Sequence, residues 1–210
     1  MKVLMINGSP RANSNTGIAF EEMCKVFDKN GIETEVIQVG AMEISGCKGC
    51  GYCFKNGKCV IDDIVSNELA AKFEECDGLV VGSPVFYAGP NGTLISLLNR
   101  LFYSTSFDKT MKVGAAVVVA RRGGSASAFD QLNKYFTISG MPVASGQYWN
   151  NLYGRKVGEV LEDEEGMQGM RTLAENMSFL MKSIELGKEK FGIPQKEPWK
   201  MTNFIRKPKV

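Results

Sequence analysis

The chain has 210 residues, 44% of them hydrophobic and spread from end to end, enough for one sizeable core without disulfide support. Lys and Arg number 25 against 23 Asp and Glu, a net charge of +2 with neither sign gathered into a long block, which argues against a nucleic-acid or membrane surface. Histidine is absent, so Ser-His and Cys-His nucleophilic pairs, His metal sites and imidazole acid/base catalysis are excluded together, and chemistry is expected from a bound cofactor.

The first strand is read at Lys2 to Ile6. It begins without a charged leader region, an apolar signal segment or a small-residue cleavage site, and no apolar run reaches the ~20 residues that span a bilayer. A cytoplasmic protein without a membrane partner is therefore expected. The strand ends in Asn7-Gly8-Ser9-Pro10-Arg11-Ala12-Asn13-Ser14-Asn15-Thr16, and a helix follows from Thr16 to Lys29. Small and hydroxyl residues here can gather backbone N–H and O–H donors around a phosphate, with the positive helix end behind them and the Arg11 fork beside them. The pattern is neither G-x-G-x-x-G nor G-x-x-x-x-G-K-[ST], which favours a monophosphate ester over a dinucleotide or a phosphoryl-transfer substrate. An ordinary turn, with Ser14 or Asn15 capping the helix and Arg11 solvated, is the plainer alternative.

A second strand, Glu33 to Val39, leads into a Gly- and Cys-rich insertion at 45–62. Its cysteines, Cys47, Cys50, Cys53 and Cys59, follow C-x2-C-x2-C-x5-C. Overlapping two-residue spacings let three thiolates converge from one tight loop onto a cuboidal iron-sulfur cluster. Structural zinc and free thiols remain alternatives. Cys24 and Cys76 read as plain buried cysteines.

The remaining elements continue the alternation: a helix from Asp63 to Cys76, a strand from Gly78 to Gly82, a helix from Gly92 to Tyr103, a strand from Val113 to Ala120, a helix from Ser127 to Ile138, a weaker strand from Pro142 to Trp149, and a helix from Glu164 to Lys190. Continuous apolar runs in the third and fourth strands predict parallel strands covered on both faces. The sum is a doubly wound α/β fold, flavodoxin-like, with a five-stranded parallel sheet in the order 2-1-3-4-5 and helices on both faces. One domain over residues 1–191 is expected, followed by a polar tail at 192–210 lying across a surface or a partner subunit.

That strand order brings the loops after strands one and three side by side. The second of them, Gly82-Ser83-Pro84-Val85-Phe86-Tyr87-Ala88-Gly89-Pro90-Asn91-Gly92, offers Phe86 and Tyr87 to stack on a planar ring and backbone N–H groups to meet its edge. Core or subunit packing is the competing use of those aromatics. A third small-residue loop, Arg121-Arg122-Gly123-Gly124-Ser125, lies on the same edge, where an Arg either meets the ring or the incoming nucleotide or is simply solvated.

With these motifs in view, Gly8-Ser9-Pro10-Arg11 with Ser14-Asn15-Thr16, and Ser83-Pro84-Val85-Phe86-Tyr87 with Pro90-Asn91-Gly92, the chain resembles the NADPH-dependent FMN reductase family and its relatives, the iron-sulfur flavoproteins. The resemblance covers roughly the first 150 residues in order and spacing. It implies FMN with its phosphate on Ser9, Arg11, Ser14, Asn15 and Thr16, and its isoalloxazine held by Pro84, Val85, Phe86, Tyr87, Asn91 and Gly92. It also implies a [4Fe–4S] cluster on Cys47, Cys50, Cys53 and Cys59. The expected activity is NAD(P)H-dependent reduction of a small-molecule acceptor (a flavin, quinone, nitro or azo compound) through bound FMN. The alternative is an electron carrier relaying electrons between FMN, the cluster and ferredoxin-like partners. Exposed aromatic pairs, Phe102-Tyr103 and Tyr148-Trp149, predict a homodimer or homotetramer.

Overall fold

A computed structural model describes residues 1–200. Where both neighbours of a strand are strands and both faces carry helices, every side chain must be apolar or small. β1 (Lys2–Asn7), β3 (Gly78–Phe86) and β5 (Val113–Ala120) meet that demand, with Val3 to Ile6, Leu79 to Val81 and all of β5 buried. β2 (Glu33–Gln38) is polar and half-exposed, as an edge strand should be. Its Glu35 is paired with Lys2 and Lys72, blunting that edge with charge.

The sheet order is β2-β1-β3-β5-β6, with β6 at Asn151–Tyr153 and all four pairings parallel; a two-residue strand, β4 (Gly89–Pro90), folds back antiparallel onto β3. Among the parallel strands this is the expected 2-1-3-4-5. Helices α1 (Asn15–Lys29) and α6 (Glu164–Phe191) cover one face, burying Phe20, Met23, Phe27, Met170 and Met177 against Val80 and Val117. The other face is covered by α3 (Ala70–Glu75), α4 (Gly92–Ser104) and α5 (Ser125–Ile138), with Phe73, Leu97, Leu101, Leu132 and Phe136 on Leu79 and Val118. The flavodoxin-like expectation holds.

Three expected elements differ. The fifth strand is not Pro142 to Trp149. That segment makes one parallel bridge, Val143 to Gly114, and leaves the sheet. The Asn150 side chain then takes the place of a backbone donor, giving its Nδ2 to Ala116 O at 3.0 Å, and the chain re-enters as β6 only from Asn151. The third strand runs to Phe86 rather than Gly82, so Pro84, Val85 and Phe86 are strand residues rather than loop. The expected helix from Asp63 to Cys76 opens as a π-helical turn, Val65–Leu69, that becomes α-helical only at Ala70. Asp63 Oδ1 accepts from Val65 N at the start of that turn.

The insertion at 45–62 carries one short helix, α2 (Tyr52–Asn56), between Gly51 and Gly57, both in the left-handed region at φ +71 and +68. After α6 the described tail has no regular structure, and Lys196 folds back onto Asp108 at 3.1 Å. The rest of the expected tail, 201–210, lies outside the described residues. Among the described residues no helix is long and apolar enough to cross a membrane.

Candidate functional site

In a parallel sheet all the strands end on one side, and where the winding reverses between β1 and β3 a crevice is left there. A cavity of about 200 Å³ occupies it, lined by Ser9, Pro10, Arg11, Ser14, Asn15, Thr16, Pro84, Val85, Phe86, Val119, Arg121, Gly154 and Arg155. The expected phosphate residues and the first three of the expected ring residues therefore share one cavity.

The β1–α1 loop is held from below by its own short polar side chains. Asn7 Oδ1 accepts from Ser9 N at 2.9 Å, and Ser9 Oγ accepts from Arg11 N at 3.3 Å. Gln38, at the end of β2, donates to the carbonyls of Ser9 and Arg11 at 3.1 and 2.6 Å. The N–H groups of Ser9 and Arg11 are thus used within the loop itself, and the open donors lie at the start of α1. Ser14 is the N-cap of α1, accepting from Gly17 N at 3.0 Å, and keeps its O–H as a donor. The backbone N–H groups of Asn15 and Thr16 have no acceptor among the described residues. Gly40 packs against this loop so closely that a Cβ would lie 2.2 Å from Gly8 O.

Ser9, Ser14, Asn15 and Thr16 are buried, and the cavity carries Arg11, Arg121 and Arg155 with no lining carboxylate. Free amides at a helix N-terminus, hydroxyl donors and three guanidinium groups are suited to a phosphate dianion. The Asn15 side chain is used differently from the expectation. Its Nδ2 donates to Lys156 O and its Oδ1 accepts from Gly158 N, both at 2.9 Å, so it clamps the segment after β6 over the cradle.

The ring loop is a tight hairpin. Val85 pairs with Pro90 and Phe86 with Gly89, leaving Tyr87 and Ala88 as a two-residue turn with φ +51 and +62. Neither is Gly or Asn, and each costs ~1–3 kcal/mol in that region. The turn is held by its surroundings: a Cβ on Gly124 would lie 2.7 Å from Ala88 Cα. Tyr87 stands fully exposed at the tip and does not line the cavity. Nor do Asn91 and Gly92. Asn91 is a buried brace, capping α4 through Thr93 N and donating to Gly8 O and Gly40 O at 2.7 and 3.2 Å, so it joins the two loops instead of facing a ring.

Val119, Gly154 and Arg155 line the cavity without having been anticipated. The rule that ligands sit at the carboxyl ends of strands could have found Gly154-Arg155, had the last strand been placed at Asn151–Tyr153.

The cysteine insertion forms a second site. Cys47, Cys50, Cys53 and Cys59 line one cleft with Arg100, Tyr103 and Ser104 of α4. Cys47 and Cys50 are exposed, Cys53 and Cys59 half-buried. Among the described residues no three Cys, Asp or Glu side chains are grouped as the shell of a single metal ion. A cuboidal cluster gives each thiolate its own iron and does not require such a shell. The cleft is narrow, about 20 Å³, and the fit rests on the donor set: four soft sulfur ligands with an N–H donor at one of them, Arg100 Nε to Cys59 Sγ at 3.3 Å. Cys24 is half-buried and Cys76 buried, both away from this cleft, and burial pushes the Cys76 thiol up to about 11.

The model of the NADPH-dependent FMN reductase family matches residues 1–153. An iron-sulfur flavoprotein of Methanocaldococcus jannaschii is 34% identical over 194 residues, covering 88% of this chain and all of the relative. An iron-sulfur flavoprotein of Methanosarcina thermophila is 29% identical over 194 residues, covering 90% and 100%. Among solved structures, RosB with a bound 8-demethyl-8-formylriboflavin-5'-phosphate intermediate superposes with a TM-score of 0.70 at 18% identity, over 100% of this chain and 96% of that one. An NADH:FMN oxidoreductase in its apo form gives 0.60 at 18% identity, over 87% and 89%. On the strength of the matched model and the full-length relatives, the chain belongs to the NADPH-dependent FMN reductase family, among its iron-sulfur flavoproteins.

Proposed function

We propose that this protein is an oxidoreductase that holds FMN in the cavity at the carboxyl edge of the sheet and a [4Fe–4S] cluster in the cysteine cleft. The observation that carries the flavin half is the convergence of the free Asn15 and Thr16 amides, buried Ser and Thr hydroxyls and three arginines on one cavity beside Phe86. FMN, when bound, supplies both two-electron and one-electron chemistry at one ring. The chain's own part is to bind and orient. Ser9, Arg11, Ser14, Thr16 and the backbone amide of Asn15 hold the phosphate. The Pro84 to Phe86 strand end forms one wall for the ring. Arg121 and Arg155 provide positive charge where an anionic reduced ring or a nucleotide phosphate comes in.

The reductant in this reading is NAD(P)H and the final acceptor a small molecule such as a quinone, flavin, nitro or azo compound. A second reading is favoured by the cysteine cleft: the cluster is the port through which single electrons are exchanged with a ferredoxin-like protein, and NAD(P)H plays no direct part. Rapid-mixing reduction of the FMN-loaded protein by NADH, by NADPH and by reduced ferredoxin decides between them. Fast bleaching of the flavin by a pyridine nucleotide supports the first. Bleaching by ferredoxin alone, lost when Cys50 is replaced by Ser, supports the second. No response to any of the three contradicts both.

A further inference from the structure

Among the described residues Arg100 is the largest fully buried side chain, on a helix whose other inward positions are mostly leucine. A guanidinium has five N–H donors, and here each has a hydrogen bond. Nε donates to Cys59 Sγ at 3.3 Å, Nη1 to Ser45 O at 3.3 Å and to Asp63 Oδ2, and Nη2 to Ile61 O at 3.3 Å and to Asp63 Oδ1 at 2.8 Å. The two carbonyls stand at the two ends of the cysteine loop, Ser45 two residues before Cys47 and Ile61 two after Cys59. One side chain thus closes the loop and touches one of its sulfurs.

Stability alone does not call for this. An ion pair whose guanidinium is fully buried and whose carboxylate is largely so recovers little over a well-packed apolar side chain of the same size, because of the water that must be stripped away. The FMN cavity does not use it either, since neither Arg100 nor Asp63 lines that space. What the pair provides is a fixed positive charge and an N–H donor against sulfur, with a carboxylate behind it that partly offsets the charge.

We propose that Arg100, backed by Asp63, is a positioning residue that sets the reduction potential of the cluster on Cys47, Cys50, Cys53 and Cys59; this rests on the cluster reading given above. One electron entering the cluster adds one negative charge, and hydrogen bonds and charge at the sulfurs are among the terms that fix cluster potentials. The guanidinium stabilises the reduced form more than the oxidised one and so raises the potential. Asp63 moderates that effect. The two residues therefore act with opposite sign.

The test is a dithionite titration of the anaerobically purified, cluster-loaded protein, followed by electron paramagnetic resonance of the reduced cluster, with the flavin potential read in parallel. Arg100→Gln, which keeps N–H donors and loses the charge, lowers the cluster potential by about 59 mV or more, a tenfold change in a one-electron equilibrium. Arg100→Lys, which keeps the charge, returns it toward the wild-type value. Asp63→Asn raises it. The flavin potential moves in none of them. If Arg100→Gln assembles no cluster, the sign of the Asp63→Asn shift decides. Wild-type potentials in both variants, or shifts of the same sign in both, overturn the inference while leaving the cluster in place. Wild-type protein without iron and acid-labile sulfide overturns the cluster reading and the inference with it.

Discussion

Removing donors from the phosphate cradle is the sharpest perturbation of the flavin site. Ser9 is buried, its Oγ accepts from Arg11 N, and its O–H is left to donate into the cavity. A hydrogen bond to a charged group is worth ~1.5–3 kcal/mol, so Ser9→Ala should weaken FMN about 10- to 150-fold. Arg11 is exposed, with Nη1 at 3.4 Å from Arg155 O. Solvent screens it, and Arg11→Ala belongs at the lower end, ~1.5 kcal/mol. Together the two lose roughly 3–4.5 kcal/mol, a Kd increase of about 10²–10³-fold or somewhat more. Titration of the apoprotein with FMN, followed by quenching of flavin fluorescence, measures it, and a thermal melt by circular dichroism checks that the fold is kept. Riboflavin, which lacks the phosphate, is the internal control: its affinity should hardly change. A double variant that binds FMN within threefold of wild type, or that loses riboflavin equally, refutes the assignment of this loop.

Other expectations follow from the same geometry. Gly40→Ala drives a Cβ into Gly8 O and the Ser9 carbonyl group; overpacking of this kind costs ~1–3 kcal/mol, and urea unfolding together with FMN titration should show stability and affinity falling together. Asn91→Ala removes the α4 cap and leaves the buried Gly8 and Gly40 carbonyls without their donor, for a loss of ~2–4 kcal/mol in denaturant unfolding. The Cys76 thiol, raised to about 11 by burial, stays protonated and inert through pH 9, whereas Cys47 and Cys50 are exposed. Iodoacetamide at pH 8 on cluster-free protein, mapped by mass spectrometry, should label Cys47 and Cys50 first and Cys76 last; early labelling of Cys76 contradicts its placement. The exposed Tyr148, Trp149 and Phe179 side chains support the proposal that the chain self-associates, and sedimentation velocity at micromolar concentration should find a dimer or tetramer rather than monomer alone.

Most of the sheet was legible because its demands are local. Val113 to Ala120 has no polar residue to place on a wet face, and Lys2 to Ile6 only its first, so parallel interior strands were the natural reading. The edge strand was not legible. Its pairing to β5 spans only three residues and is preceded by a side-chain bond from Asn150 to Ala116 O, and no periodicity announces an amide standing in for a backbone group. That one misplacement hid Gly154 and Arg155 from the site. The phosphate loop was readable from its density of small donors, but the sequence could not divide Asn15 between ligand and clamp, because its partners, Lys156 and Gly158, are more than 140 residues away. Asn91 is drawn away from the cavity for a related reason. An Asn at a helix start caps first, and here it also reaches the Gly8 and Gly40 carbonyls. In the cysteine loop the spacing was evident, whereas Arg100 looked like an ordinary helix residue until the fold brought α4 under Cys59.

The central claim is that one chain holds FMN at the sheet edge and an iron-sulfur cluster in the cysteine cleft. It is tested most directly by the absorption spectrum of anaerobically purified protein, with flavin, iron and acid-labile sulfide assayed on the same sample. The account predicts flavin bands from FMN on a broad iron-sulfur shoulder, with the shoulder alone lost on Cys50→Ser and the flavin alone lost in the Ser9, Arg11 double variant. Protein that carries no flavin and takes none up from added FMN contradicts it.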